Sequence, residues 1–241
     1  MTDHIVQSFD VELRGLTSHI LELGVLAEQQ LTDAVWSLRR GNEQMAKEVA
    51  EREERLNRLA AQIDSDAVSM IARRQPLAID LRHVMAAIRI SSNLERVGDL
   101  AYNIAKRSMA MSEAPIPAEL AEPMQRMAEL TLLQLKSARE SFATMDIHSA
   151  YRVWEEDAVI DAMHTILFKD IVQCMADDRA SAFDLAHLLF VVKNIERVGD
   201  HATNIAEDVV YMVSGALPIG KRPKMDESTL PRAGSDNLGN S

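Results

Sequence analysis

The chain has 241 residues, 47% of them apolar and 4% aromatic, and a formal net charge of −11. That length can bury a substantial core, whereas the charge argues against nucleic acid as a partner, because such affinity rests on Lys and Arg neutralising phosphates. A single cysteine, Cys174, excludes an internal disulfide framework. The start "MTDHIVQSFDVELRGL" reads as neither signal peptide nor anchor, and the longest uncharged apolar run, "LAHLLFVV", is too short to span a bilayer. A soluble cytoplasmic protein without membrane insertion is therefore expected.

Nine Gly and seven Pro, several after residue 215, leave most of the chain free of breakers, and Ala, Leu, Met, Glu and Arg are abundant. The fold class expected is all-α. The first amphipathic segment runs from about 5 to 39 and stops at "RRGN"; the second, 43 to 73, stops at "RRQPLAID"; the third covers 77 to 111. "SEAPIPAE", with Pro115 and Pro117, then divides the chain. A fourth segment at 118 to 144 reaches "MDIH", a fifth at 148 to 177 reaches "DDRAS", and a sixth covers 182 to 214. Joints this short connect antiparallel neighbours. After Ser214 the stretch "GALPIGKRPKMDESTLPRAGSDNLGNS" has no apolar period and is expected to be disordered.

The two sets of three are related. "NLERVGDLAYNIA" at 93 to 105 returns 101 residues later as "NIERVGDHATNIA", with ten of thirteen positions identical. An offset of 104 aligns "AVWSL" with "ARESF", Leu56, Leu59 and Ile63 with Ile160, Met163 and Leu167, and Asp80-Leu81-x-His83 with Asp184-Leu185-x-His187. Two homologous antiparallel three-helix bundles in tandem follow, at 1–112 and 118–214, with a tail at 215–241.

Both copies keep Glu-x-x-x-Asp-x-x-x-Asn, as Glu95, Asp99 and Asn103 and as Glu196, Asp200 and Asn204. On a helical wheel Ile90, Leu94, Val97, Ala101 and Ile104 form an apolar stripe, as do Val191, Ile195, Val198, Ala202 and Ile205. The acids and amides fall on roughly the opposite, outward side. A solvated acidic face is one reading. The other is coordination of a hard cation or iron, because oxygens at i, i+4 and i+8 project from one face. Three oxygens rarely complete a shell, so Asp157 and Asp161 of the fifth segment are candidate partners, beside Trp154, Phe168 and Val172. Their first-half counterparts are Glu53 and Asn57, and Glu207 replaces Lys106, so the second half is the more acidic site. Gly98 and Gly199, costly inside helices, suggest close approach of a neighbouring backbone, space beside the acids, or tight helix packing.

Other polar signals are weaker. Asp80 with His83 and Asp184 with His187 resemble part of a di-iron motif, but the matching Glu-x-x-His pairs are absent, and core or helix-start roles are expected. Cys174 reads as a buried thiol. No Gly-rich phosphate loop, nucleophile elbow or HExxH occurs.

"DLRHVMAAIRISSNLERVGDLAYNIA" and "NIERVGDHATNIAEDVVYM" together resemble the PhoU family of bacterial phosphate-signalling regulators, over about residues 5 to 214. The resemblance implies paired three-helix bundles and multinuclear iron or zinc clusters on the Glu/Asp-x-x-x-Asp motifs, here Glu95 and Asp99, Glu196 and Asp200. It also implies an adaptor between the Pst phosphate transporter ATPase and the PhoR-type sensor histidine kinase that restrains phosphate-starvation signalling. The residues themselves leave iron, zinc or manganese open, with Asp157, Asp161, Asn204 and Glu207 as further ligands of the second site. A homodimer is also left open. A di-iron-like bundle enzyme and a metal-free helical scaffold are the alternatives. Missing His ligands and outward acids favour a non-enzymatic adaptor.

Overall fold

The computed structural model describes the backbone of residues 2–40, 43–111, 116–178 and 181–218, and the side chains of 9–38, 44–111, 116–178 and 181–218. Six helices follow one another: α1 (Thr2–Arg40), α2 (Glu43–Arg74), α3 (Ile79–Ala110), α4 (Ala118–Thr144), α5 (Ile147–Asp177) and α6 (Ala182–Ser214). Among the described residues there is no strand. The fold is all-α, as the sequence periodicity indicates.

Local chemistry sets the ends. Gln75 precedes a proline, which disfavours the right-handed helical region. It turns left-handed at φ 49° while its N–H still bonds Ile71 O at 3.0 Å, so α2 stops at Arg74 and α3 begins two residues later than the periodicity suggests. Asp146 caps α5, accepting from His148 N at 2.9 Å and Ser149 N at 3.3 Å. Gly215 ends α6 at φ 79°, a left-handed position suited to glycine. The sequence reading of a disordered tail concerns residues that, beyond Pro218, lie outside the described ones.

The helices pack as two sets. α3 lies against α1 and α2, and α6 against α4 and α5; α3 and α6 then share the most extensive helix pair, with a second contact between α1 and α4. Each motif helix therefore has three neighbours. Both expected stripes, Ile90 to Ile104 and Val191 to Ile205, are buried in the core, where a fully buried Leu, Ile or Val contributes about 1.5–3 kcal/mol. Across the α1–α4 contact Arg139 grips Glu28, with Nε–Oε1 at 2.6 Å and Nη2–Oε2 at 3.3 Å. Gly24 makes room for it: a Cβ there would stand 2.5 Å from Arg139 Cδ.

Candidate functional site

Three neighbours per motif helix leave little outward surface, and the expectation that the motif acids face solvent is corrected on this point. Glu196 is 3% exposed. Glu95, Asp99, Asp200 and Asn204 are half-buried, and only Asn103 stands exposed. The apolar stripe marks one contact sector of α3 or α6, while contacts with the remaining two helices enclose polar positions as well.

In the second half α5 brings Asp157 and Asp161 against α6, each 1% exposed. Gln134 of α4 completes the layer. Its Nε2 donates to Asp157 Oδ1 at 3.0 Å and to Val153 O at 3.2 Å, and Thr203 Oγ1 donates to the same Asp157 oxygen at 3.2 Å. Gly199 is what permits this approach, since a Cβ there would lie 3.0 Å from Gln134 Oε1 and 3.2 Å from Asp157 Oδ1. Of the sequence readings of this glycine, space beside the acids is the one observed, and the neighbours are side chains rather than backbone. Lys193 Nζ sits 2.8 Å from Glu196 Oε2, which balances a carboxylate that burial would otherwise penalise.

The first half repeats the arrangement with different residues. Gln30 Nε2 donates to Glu53 of α2 and, at 3.3 Å, to Gly98 O. Gly98 faces Leu56 and Glu53. Burial pushes the Glu53 carboxyl up to about 7; Gln30 opposes that rise and the neighbouring Asp99 adds to it. Asp99 also pairs with Arg96 at 2.9 Å. Asn57 is exposed, unlike its counterpart Asp161.

The remaining candidates diverge. Glu207 accepts from Trp154 Nε1 at 3.0 Å on the α5 side, whereas Asn204 Nδ2 donates to Asn93 Oδ1 of α3 at 3.3 Å. His201 Nδ1 lies 2.9 Å from that same oxygen, and burial, more than Arg197, lowers its pKa. Beside them an open cavity of about 320 Å³ is lined by Arg89, Ser92, Asn93, Asn204, Glu207, Asp208 and Leu217. Asp80 and Asp184 occupy the first turns of α3 and α6, and His83 packs edge-on against Phe142 at 6.2 Å. Cys174 is a half-buried free thiol whose pKa burial raises.

The chemistry of the acids suits a hard cation, since all are oxygen donors. Their placement does not preassemble a site. Among the described residues no three His, Cys, Asp or Glu side chains are grouped to hold an ion. Asp157 instead accepts from Gln134 and Thr203, Glu196 pairs with Lys193, and Glu207 accepts from Trp154. Gln30, Gln134, Thr203 and Lys193 were not singled out from the sequence. The two glutamines stand at the repeat offset of 104, the one signal that could have found them.

The PhoU domain model matches the chain twice, over residues 20–108 and 124–209, spanning both motif copies. The chain belongs to the PhoU family. It is 45% identical over 228 residues to the phosphate-specific transport system accessory protein PhoU homolog of Rhizobium meliloti (strain 1021), covering 94% of this chain and 96% of the relative. The homolog of Caulobacter vibrioides (strain NA1000 / CB15N) is 39% identical, with 94% and 98% covered. The crystal structure of PhoU from Pseudomonas aeruginosa superimposes with a TM-score of 0.83 at 31% identity, covering 86% of this chain and all of the other. That of the phosphate transport system regulatory protein PhoU from Streptococcus pneumoniae gives 0.81 at 28%, covering 87% and 99%. Membership and the tandem helical fold thus agree. No helix among the described residues is long and apolar enough to cross a membrane.

Proposed function

We propose that this chain is a regulatory accessory of phosphate-specific transport, which restrains phosphate-starvation signalling when phosphate is plentiful by linking the transporter ATPase to a sensor histidine kinase. The observation that carries the reading is the double family match across both motif helices, in relatives named as transport accessory proteins. The buried acids support it over a hydrolytic or di-iron enzyme: they are engaged by Lys193, Gln134, Thr203 and Trp154 rather than arrayed around a walled pocket. A clean deletion should derepress a phosphate-starvation reporter in high phosphate, and complementation should restore repression; unchanged output would end the reading.

A bound iron, zinc or manganese ion is a dependent part of the proposal. Glu196 and Asp200 would be its centre, with Asp157, Asp161, Asn204 and Glu207 in support. An ion would compete with Lys193 for Glu196, whose Oε2 the ammonium already holds at 2.8 Å. Metal per chain in tag-free protein should fall further for the Glu196→Gln/Asp200→Asn double variant than for Glu95→Gln/Asp99→Asn, where Asn57 and Lys106 replace acids. Equal losses would overturn the asymmetry, and metal-free wild type after metal-replete growth would remove the ion altogether.

A further inference from the structure

α3 and α6 run antiparallel along one seam, and the internal repeat lets its two ends be compared. At one end Arg89 Nε lies 3.1 Å from Asp208 Oδ1, and its guanidinium is 4.6 Å from the Tyr211 ring centre. At the other end the repeat-related residues differ: Arg107 stands where α6 has Asp208, and Phe190 where α3 has Arg89. The guanidinium of Arg107 lies 4.1 Å from the Phe190 ring centre, and its Nη1 is 3.4 Å from His187 Nδ1. Its Nε is buried with no hydrogen-bond partner, as is that of Arg89, so the two ends differ in the carboxylate that stands opposite Arg89 alone. Among the described residues Arg107 has no carboxylate partner, in a chain where 37 acids face 26 Lys and Arg.

The surface beside it is aromatic. Phe183 is 66% and Phe190 55% exposed, and His187 packs edge-on to Phe183 at 4.7 Å. Spacings of four and three residues place Phe183, His187 and Phe190 on one face of α6. Aromatic side chains next to an arginine are the composition in which protein interfaces concentrate their binding energy.

We propose that this end of the α3–α6 seam is a docking surface for a partner protein segment presenting an Asp or Glu carboxylate beside a large apolar side chain. The carboxylate stands opposite Arg107 as Asp208 stands opposite Arg89, and the apolar group covers Phe183 and Phe190. Free phosphate would satisfy the guanidinium but leave both phenylalanines in water. The inference rests on seam geometry alone, so it stands or falls separately from the role in phosphate regulation.

The test pans a displayed library of random peptides, about twelve residues long, on the full-length chain and on Arg107→Glu in parallel. Peptides selective for the wild type should carry Asp or Glu close to Leu, Ile, Phe or Trp. Synthetic copies should lose at least about tenfold in affinity for Arg107→Glu and when their own acid is changed to the amide. Phe183→Ala and Phe190→Ala, at exposed positions that leave the fold intact by circular dichroism, should weaken them too. Selected peptides that lack an acid, or an absence of any peptide separating the two chains, would overturn the proposal. Displacement by millimolar inorganic phosphate would overturn it in favour of a free anion.

Discussion

At Asp208 burial outweighs pairing. The residue is 6% exposed, and its carboxyl pKa rises to about 7 because loss of water dominates, Glu207 adds repulsion, and Arg89 only partly opposes them. Arg89 is itself 41% exposed, and its Nε, although 3.1 Å away, is not aligned as a hydrogen bond, so it acts as a screened charge. A folded-state pKa above the ordinary 3.8 means the native chain holds a proton that the unfolded chain has released. The stabilisation from this group is therefore complete below about pH 4 and is lost as pH rises through about 7. A tenfold difference in acidity is worth ~1.4 kcal/mol, so the loss is on the order of a few kcal/mol. Asp208→Asn should flatten the fall in urea midpoint between pH 5 and pH 8 and be the more stable protein at pH 8. Parallel profiles for the two proteins would refute this.

At the scale of a helix, the glycines separate propensity from packing. Gly98 lies inside α3, where Ala would improve helix propensity by roughly 1 kcal/mol. Its new Cβ would meet Leu56 Cδ1 at 2.7 Å and Cδ2 at 2.9 Å, and Leu56 is fully buried with nowhere to withdraw. Overpacking of this kind costs about 1–3 kcal/mol, so Gly98→Ala should be net destabilising. Gly15, exposed on α1 with nothing within 4 Å of a Cβ, supplies the opposite case. Gly15→Ala should stabilise by up to about 1 kcal/mol. Matching signs in chemical denaturation would show that one of these environments is misread.

The same helices show what the sequence could carry. Their boundaries were legible to within about three residues, because the joints at Pro76, Asp146 and Gly215 act through local backbone chemistry. Both apolar stripes were legible because they follow the period of a single helix. The burial of Glu196 was not, because it depends on how many neighbours surround α6, and a wheel drawn for one helix contains no neighbours. The Gln134, Asp157 and Thr203 cluster joins α4, α5 and α6 and exists only after packing.

For the molecule as a whole, the decisive interface is the one between the repeats. α3 and α6 each complete their own bundle and also pack on one another more extensively than any other pair, while Arg139 and Glu28 tie α1 to α4. Unfolding either half would bare the seam of the other, so the two repeats should lose structure together despite their separate cores. The chain carries its own reporters, with Trp36 on α1 and Trp154 on α5 as its two tryptophans. Trp154→Phe leaves fluorescence from the first half, and Trp36→Phe leaves it from the second. In urea each fluorescence transition should coincide with the helical signal of the same variant, the signature of a single cooperative step. Arg139→Ala, which frees Glu28 and loosens the α1–α4 contact, should move the transitions of both halves to lower urea without separating them. A Trp36 transition displaced from the helical signal, in either direction, would mean that the seam couples the halves too weakly and that each repeat folds as an independent unit.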